Sequence, residues 1–106
     1  MTIAALLAAA RKIWGAERMT LPEIIVCLNV ILGDIARLQR DRDRERSLPG
    51  VWDRALKKEL GNLILSTIRW CDDLDFNPNE CIIEAQKAQA VMADRLRIER
   101  TGRIQG

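Results

Sequence analysis

A chain of 106 residues has room for one hydrophobic core and no second domain. With 48% hydrophobic and 30% charged residues, its composition excludes disorder over most of its length, and a net charge of only +2 excludes a strong field for nucleic acid or an anionic membrane. Histidine is absent, so any chemistry runs on carboxylates, amides, thiols or cationic groups.

The elements read as four helices in a single domain over residues 1–106. Residues 1–18 form an N-terminal helix and linker, 19–100 the core helices and 101–106 a flexible tail. The first helix runs from about Thr2 to Trp14, with Ile3, Leu6, Leu7, Ala10, Ile13 and Trp14 on one stripe and Gly15 to end it. The second opens on a capping box, Thr20 with Glu23, and tolerates Pro22 in its first turn. It continues through Ile24, Ile25, Leu28, Ile31, Leu32, Ile35 and Leu38.

Arg40 to Arg46 alternates acid and base with opposite charges at i,i+3, which reads as a solvated extension of the helix or a connector. Ser47-Leu48-Pro49-Gly50 reads as a turn. The third helix spans about Val51 to Leu74. Asn77 then caps a fourth, with Pro78 at its first position and Glu80 closing a second capping box, and this helix ends near Arg100.

Cys27, Cys71 and Cys81 are odd in number, lie in apolar stretches and form no C-x-x-C pair, as reduced thiols of a cytoplasmic protein would. The apolar start lacks a positive region before it, since Arg11 and Lys12 follow, so it reads as a helix and not a secretory leader. The apolar stretch from Ile24 to Leu32 is broken by Asn29 and is too short to cross a bilayer.

The second and third helices are apolar over more than one face, and such helices need to be surrounded. Four short helices leave one of those faces in water. The expectation is an all-α four-helix bundle whose core is completed by homo-oligomerisation, as a homodimer or a dimer of dimers.

Polar groups interrupt these helices at regular places. Asp34 leaves a stripe shared with Val30, Ile31 and Leu38, where a carboxylate needs a partner: Arg37, an arginine of another helix, a metal or a phosphate-bearing ligand. On the third helix Glu59, Asn62, Ser66, Arg69 and Asp73 recur at three- and four-residue spacing. That stripe is either a solvent face or the surface that meets Asp34 across the bundle, an arrangement by which bundles hold divalent cations.

These residues resemble the motifs of the MazG-like all-α nucleoside triphosphate pyrophosphohydrolases over about Met19 to Arg95. That family carries E-x-x-E on one helix and E-x-x-D on the next long one. Leu32-Gly33-Asp34-Ile35 resembles the end of the first motif, Lys58-Glu59-Leu60-Gly61-Asn62-Leu63 the second, and Arg69 to Asn77 the helix end and loop that follow. Asp34 stands where the family has glutamate, Glu59 is retained and Asn62 replaces the aspartate. Ile31 and Val30 fill positions where the family has glutamates, while Ala85 and Gln89 stand for its usual lysine and asparagine, with Lys87 close by.

The resemblance implies a metal site of Asp34, Glu59 and Asn62 for Mg²⁺ or Mn²⁺, with Glu59 as the catalytic carboxylate and Arg69 and Lys87 as phosphate contacts. The reduced ligand set favours a non-catalytic or nucleotide-binding helical oligomer. Magnesium-dependent cleavage of a nucleoside triphosphate to monophosphate and pyrophosphate is the alternative. A third reading is weak nucleic-acid binding by Arg95, Arg97, Arg100 and Arg103, although Asp94 and Glu99 dilute that patch.

Overall fold

A computed structural model of the chain describes residues 1–43 and 49–105. Among these residues the protein is all-helical, in the order α1 (Ile3–Trp14), α2 (Leu21–Asp43), α3 (Pro49–Asp73) and α4 (Pro78–Gln105). The last residues of the expected charged run, 44–46, the turn residues 47–48 and residue 106 of the tail lie outside the described residues.

Each helix begins and ends for a local reason. The Thr2 hydroxyl accepts from the Ala5 N–H (3.0 Å), and Gly15, at φ 64°, donates its N–H to the Arg11 carbonyl to close α1. At α2 the Glu23 carboxylate accepts from the Thr20 N–H (3.2 Å) while the Thr20 hydroxyl meets the Glu23 N–H, so the capping box forms as the sequence predicts. At α3 the expected turn residues Pro49 and Gly50 belong instead to the helix, because a proline at the first helical position gives up only an N–H that would have no partner.

The end of α3 is a Schellman turn: the Phe76 N–H bonds the Cys71 carbonyl (2.8 Å) and the Asp75 N–H bonds that of Asp72 (3.0 Å). Asp75 takes the left-handed position at φ 62°, which short polar side chains tolerate. Asn77 then caps α4 by accepting from the Asn79 N–H (2.8 Å), two residues on, in place of the reciprocal box expected with Glu80. α4 continues past Arg100 to Gln105, and within it the Thr101 hydroxyl donates to the Arg97 carbonyl, so the expected tail is helical as far as it is described.

The fold is organised around α3, which packs most extensively on α2, next on α1 and least on α4. The core is small: Ile24 and Ile31 of α2 bury against Trp70 of α3, with Met19, Cys27, Ile35, Leu63 and Leu74 around them. Ala10 and Ile68 are also buried. Of the stripe expected to face inward on α1, Ala10 is buried and Ile3, Leu6 and Leu7 are half-buried, whereas Ile13 and Trp14 at its C-terminal end are exposed.

At the other end of the α2–α3 pair, the Trp52 indole N–H donates to the Leu38 carbonyl (2.7 Å), and the Arg42 guanidinium lies over the Trp52 ring. No helix among the described residues is long and apolar enough to cross a membrane.

The resulting shape is open. The radius of gyration is 18.0 Å, against about 13 Å for a compact chain of this length. The accessible surface is 8657 Å², whereas a folded monomer of this mass exposes about 6,000 Å². Ile25, Val26, Val30 and Leu32 of α2 and Leu60 and Ile64 of α3 are all exposed apolar side chains.

Candidate functional site

Residues one turn apart on facing helices make the main polar concavity. Asp34, Arg37, Leu38 and Asp41 line it from α2, and Ala55, Lys58 and Glu59 from α3, around a volume of about 400 Å³. The three- and four-residue spacing puts each set on one helix face. Asp34 and Glu59, drawn from separate motifs, therefore share a pocket. Asp41 shares it too, one further turn pair along α2, a residue that sequence reasoning assigned to the solvated charged run.

Each carboxylate of this pair has a cation beside it. Arg37 donates to Asp34 within one turn of α2, and the Lys58 ammonium stands 3.6 Å from Glu59 Oε1. Glu59 is only 9% exposed, and its Oε2 has no hydrogen-bond partner. Three carboxylates and two cations thus face one another, so the pocket carries little net charge of its own.

The other predicted ligands are elsewhere. Asn62 is exposed one turn beyond Glu59, and its side-chain oxygen accepts from the Ser66 hydroxyl at 3.4 Å. Arg69 lies against α1, its guanidinium 4.0 Å from the centroid of the Trp14 ring and its Nε 3.4 Å from Asp73 Oδ2. Lys87 is exposed on α4 and pairs with Glu84 at 3.2 Å. The structure brings Asp34 and Glu59 together and leaves Asn62, Arg69 and Lys87 outside their pocket.

Metal chemistry can be tested against this donor set. Among the described residues no group of three or more His, Cys, Asp or Glu side chains is placed to hold a metal ion. Magnesium and manganese need several oxygen ligands at close range, and here the two central carboxylates already face guanidinium and ammonium groups. Ile31, where the MazG-like resemblance would expect a glutamate, is buried in the core against Ile24 and Trp70, where a carboxylate would be desolvated. Val30, at the neighbouring position, is exposed on the outer face of α2. The residues present do not fit a divalent cation.

A second charged cluster ties α1 to the end of α3. Arg11 grips Asp72 through two bonds, Nε to Oδ2 at 3.0 Å and Nη2 to Oδ1 at 2.7 Å, and Arg18 pairs with Asp75. The Arg11 hydrogen bond holds the Asp72 carboxyl below the usual aspartate range, against a smaller opposing effect of burial. These pairs place cations beside the carboxylates that crowd the C-terminus of α3, where the helix dipole disfavours negative charge.

An apolar groove of about 460 Å³ runs between α1, α3 and the base of α4, walled by Ile3 and Leu6, Leu63, Ile64 and Ile68, and Cys81 and Ile82. Cys71 also lines it. Burial pushes the Cys71 thiol up to about 11, and its hydrogen bond with the Cys81 thiol adds to the effect. All three cysteines are half-buried and free.

In comparisons with protein-family models, curated proteins and solved structures, nothing matches the chain.

Proposed function

We propose that this chain is a non-catalytic helical assembly domain, a MazG-like scaffold with an eroded metal motif that acts as a homo-oligomer. One observation carries the reading: each of the five predicted site residues already has a partner within its own chain. Asp34 has Arg37, Glu59 has Lys58, Asn62 has Ser66, Arg69 has Asp73 and Trp14, and Lys87 has Glu84. A site prepared for a metal–triphosphate complex keeps its carboxylates available to the cation and its cations available to phosphate. Here the two carboxylates pair with Arg37 and Lys58, and the two cations with Asp73 and Glu84.

The exposed apolar faces of α2, α3 and α4 support the assembly half of the proposal. A surface exceeding that of a compact monomer by roughly 2,600 Å² is stabilised by burying it against a partner.

A second reading, magnesium-dependent nucleoside triphosphate pyrophosphohydrolysis, draws on the buried, unpartnered Oε2 of Glu59 in the same pocket as Asp34. Pyrophosphate release from the common ribo- and deoxyribonucleoside triphosphates, with Mg²⁺ and then Mn²⁺, separates the two. The proposal expects turnover no higher than that of Glu59→Ala from a protein that sediments as a multiple of its chain mass. Metal-dependent turnover abolished in Glu59→Ala would overturn it in favour of the enzyme.

A further inference from the structure

The junction of α3 and α4 brings two thiols to one place. Cys71 lies in the last turn of α3 and Cys81 in the first turn of α4. Their backbones anchor the turn that joins the helices. The Cys71 carbonyl accepts from the Phe76 N–H (2.8 Å), and the Cys81 N–H donates to the Asn77 carbonyl (3.2 Å). Both side chains are half-buried and line the same apolar groove, one from each helix, and the two thiols hydrogen-bond to each other.

The surroundings leave each sulfur the other as its partner. Among the described residues no charged side chain lines the groove, and the Thr67 hydroxyl in its wall donates to the Leu63 carbonyl at 2.6 Å. Cys27 does not line it and packs on the Ile24–Ile31–Trp70 core. Two thiols fall short of the four ligands of a structural zinc site. A disulfide needs only two, from residues whose side chains already meet.

We infer that Cys71 and Cys81 are an oxidisable pair, joined by hydrogen peroxide into a disulfide within the chain. The Cys81 thiolate attacks one peroxide oxygen and the O–O bond breaks. The released hydroxide takes up the Cys81 proton as water and leaves a sulfenic acid. The Cys71 sulfur then attacks the Cys81 sulfur, the S–O bond breaks, and a second water carries off the hydroxyl and the Cys71 proton. Two thiols lose two electrons and two protons, and the peroxide is reduced to two waters. Cys71, whose thiol burial pushes up to about 11, keeps its proton at neutral pH and is therefore assigned the second step. The bond closes the loop between α3 and α4, and α4 is the helix that packs least on α3. Oxidation thus fastens the base of α4 where packing holds it least.

The test is hydrogen peroxide treatment of the whole folded chain at neutral pH, followed by N-ethylmaleimide in urea and digestion with trypsin. No lysine or arginine lies between Arg69 and Lys87, so both thiols fall in one peptide, residues 70–87, and Cys27 in another, residues 19–37. The 70–87 peptide is expected to lose two hydrogens and take no maleimide, while Cys27 is labelled in full. The oxidised chain is expected to melt about 10 °C higher than the same sample after reduction. In Cys71→Ser the sulfenic acid is expected to persist on Cys81 and to be trapped by dimedone. Two maleimide labels on the 70–87 peptide, or links only to Cys27 or to a second chain, overturn the inference. A linked peptide with no rise in melting temperature overturns the fastening of α4.

Discussion

The Arg69 guanidinium lies on the face of the Trp14 ring, 4.0 Å from its centroid, and fastens α1 to α3. The same guanidinium stands beside Asp73, and both side chains are nearly shut off from solvent, at 12% and 5% exposure. Removing one partner of a buried pair strands the other. Arg69→Ala is therefore expected to cost about 3–5 kcal/mol, while the double variant Arg69→Met, Asp73→Asn loses less than the single one. Urea unfolding followed by tryptophan fluorescence measures both. Equal losses in the single and double variants would show that the pair does not hold the helices together.

The clamp between Arg11 and Asp72 gives a pH dependence with a definite sign. Asp72 is held below its ordinary value of 3.8 in the folded chain. Its contribution is therefore fully present above that value and is lost as pH falls through the lower folded one. Melting temperatures between pH 5 and pH 2 are expected to fall less steeply in Asp72→Asn than in the wild type. Parallel curves would remove Asp72 from the acid transition.

Much of this was legible in the sequence, and the reason is locality. The Thr20–Glu23 box and the Gly15 stop lie within one turn or a few residues, where spacing alone specifies the partner. For Asp34, spacing offered Arg37 as one of several partners, and the structure pairs the two. Arg69 was not legible in this way. Its position on the polar stripe of α3 is visible, but the ring it meets comes from α1, and no local pattern says which helix covers which face. Asp41 was hidden by its neighbours, since a charged residue inside a charged run gives no sign that one turn of it faces a pocket. Ile13 shows the converse, an apolar stripe longer than the partner available to cover it.

The pocket account predicts how its internal cations act. Arg37 and Lys58 face the carboxylates of Asp34, Asp41 and Glu59. Replacing both cations with alanine leaves three acidic groups around one cavity. Mn²⁺ binding by calorimetry is then expected to tighten by roughly tenfold relative to the wild type. Unchanged affinity would mean that the carboxylates are too far apart for any cation to bridge.

The Cys71 thiol, pushed up to about 11 by burial, is expected to alkylate at pH 8 on the order of a hundredfold more slowly in the folded chain than after unfolding, because the thiolate is the reactive form. Peptide mass spectrometry after timed iodoacetamide quenching reads the rate at each cysteine separately. Equal rates before and after unfolding would place Cys71 in open solvent.

The central claim is that this chain is finished by copies of itself. Sedimentation equilibrium over a wide concentration range tests it most directly. The account predicts a mass of two or four times the 12.1 kDa chain that persists to low micromolar concentration. A single species at 12.1 kDa across that range would contradict it, and the apolar faces of α2 and α4 would then need another partner.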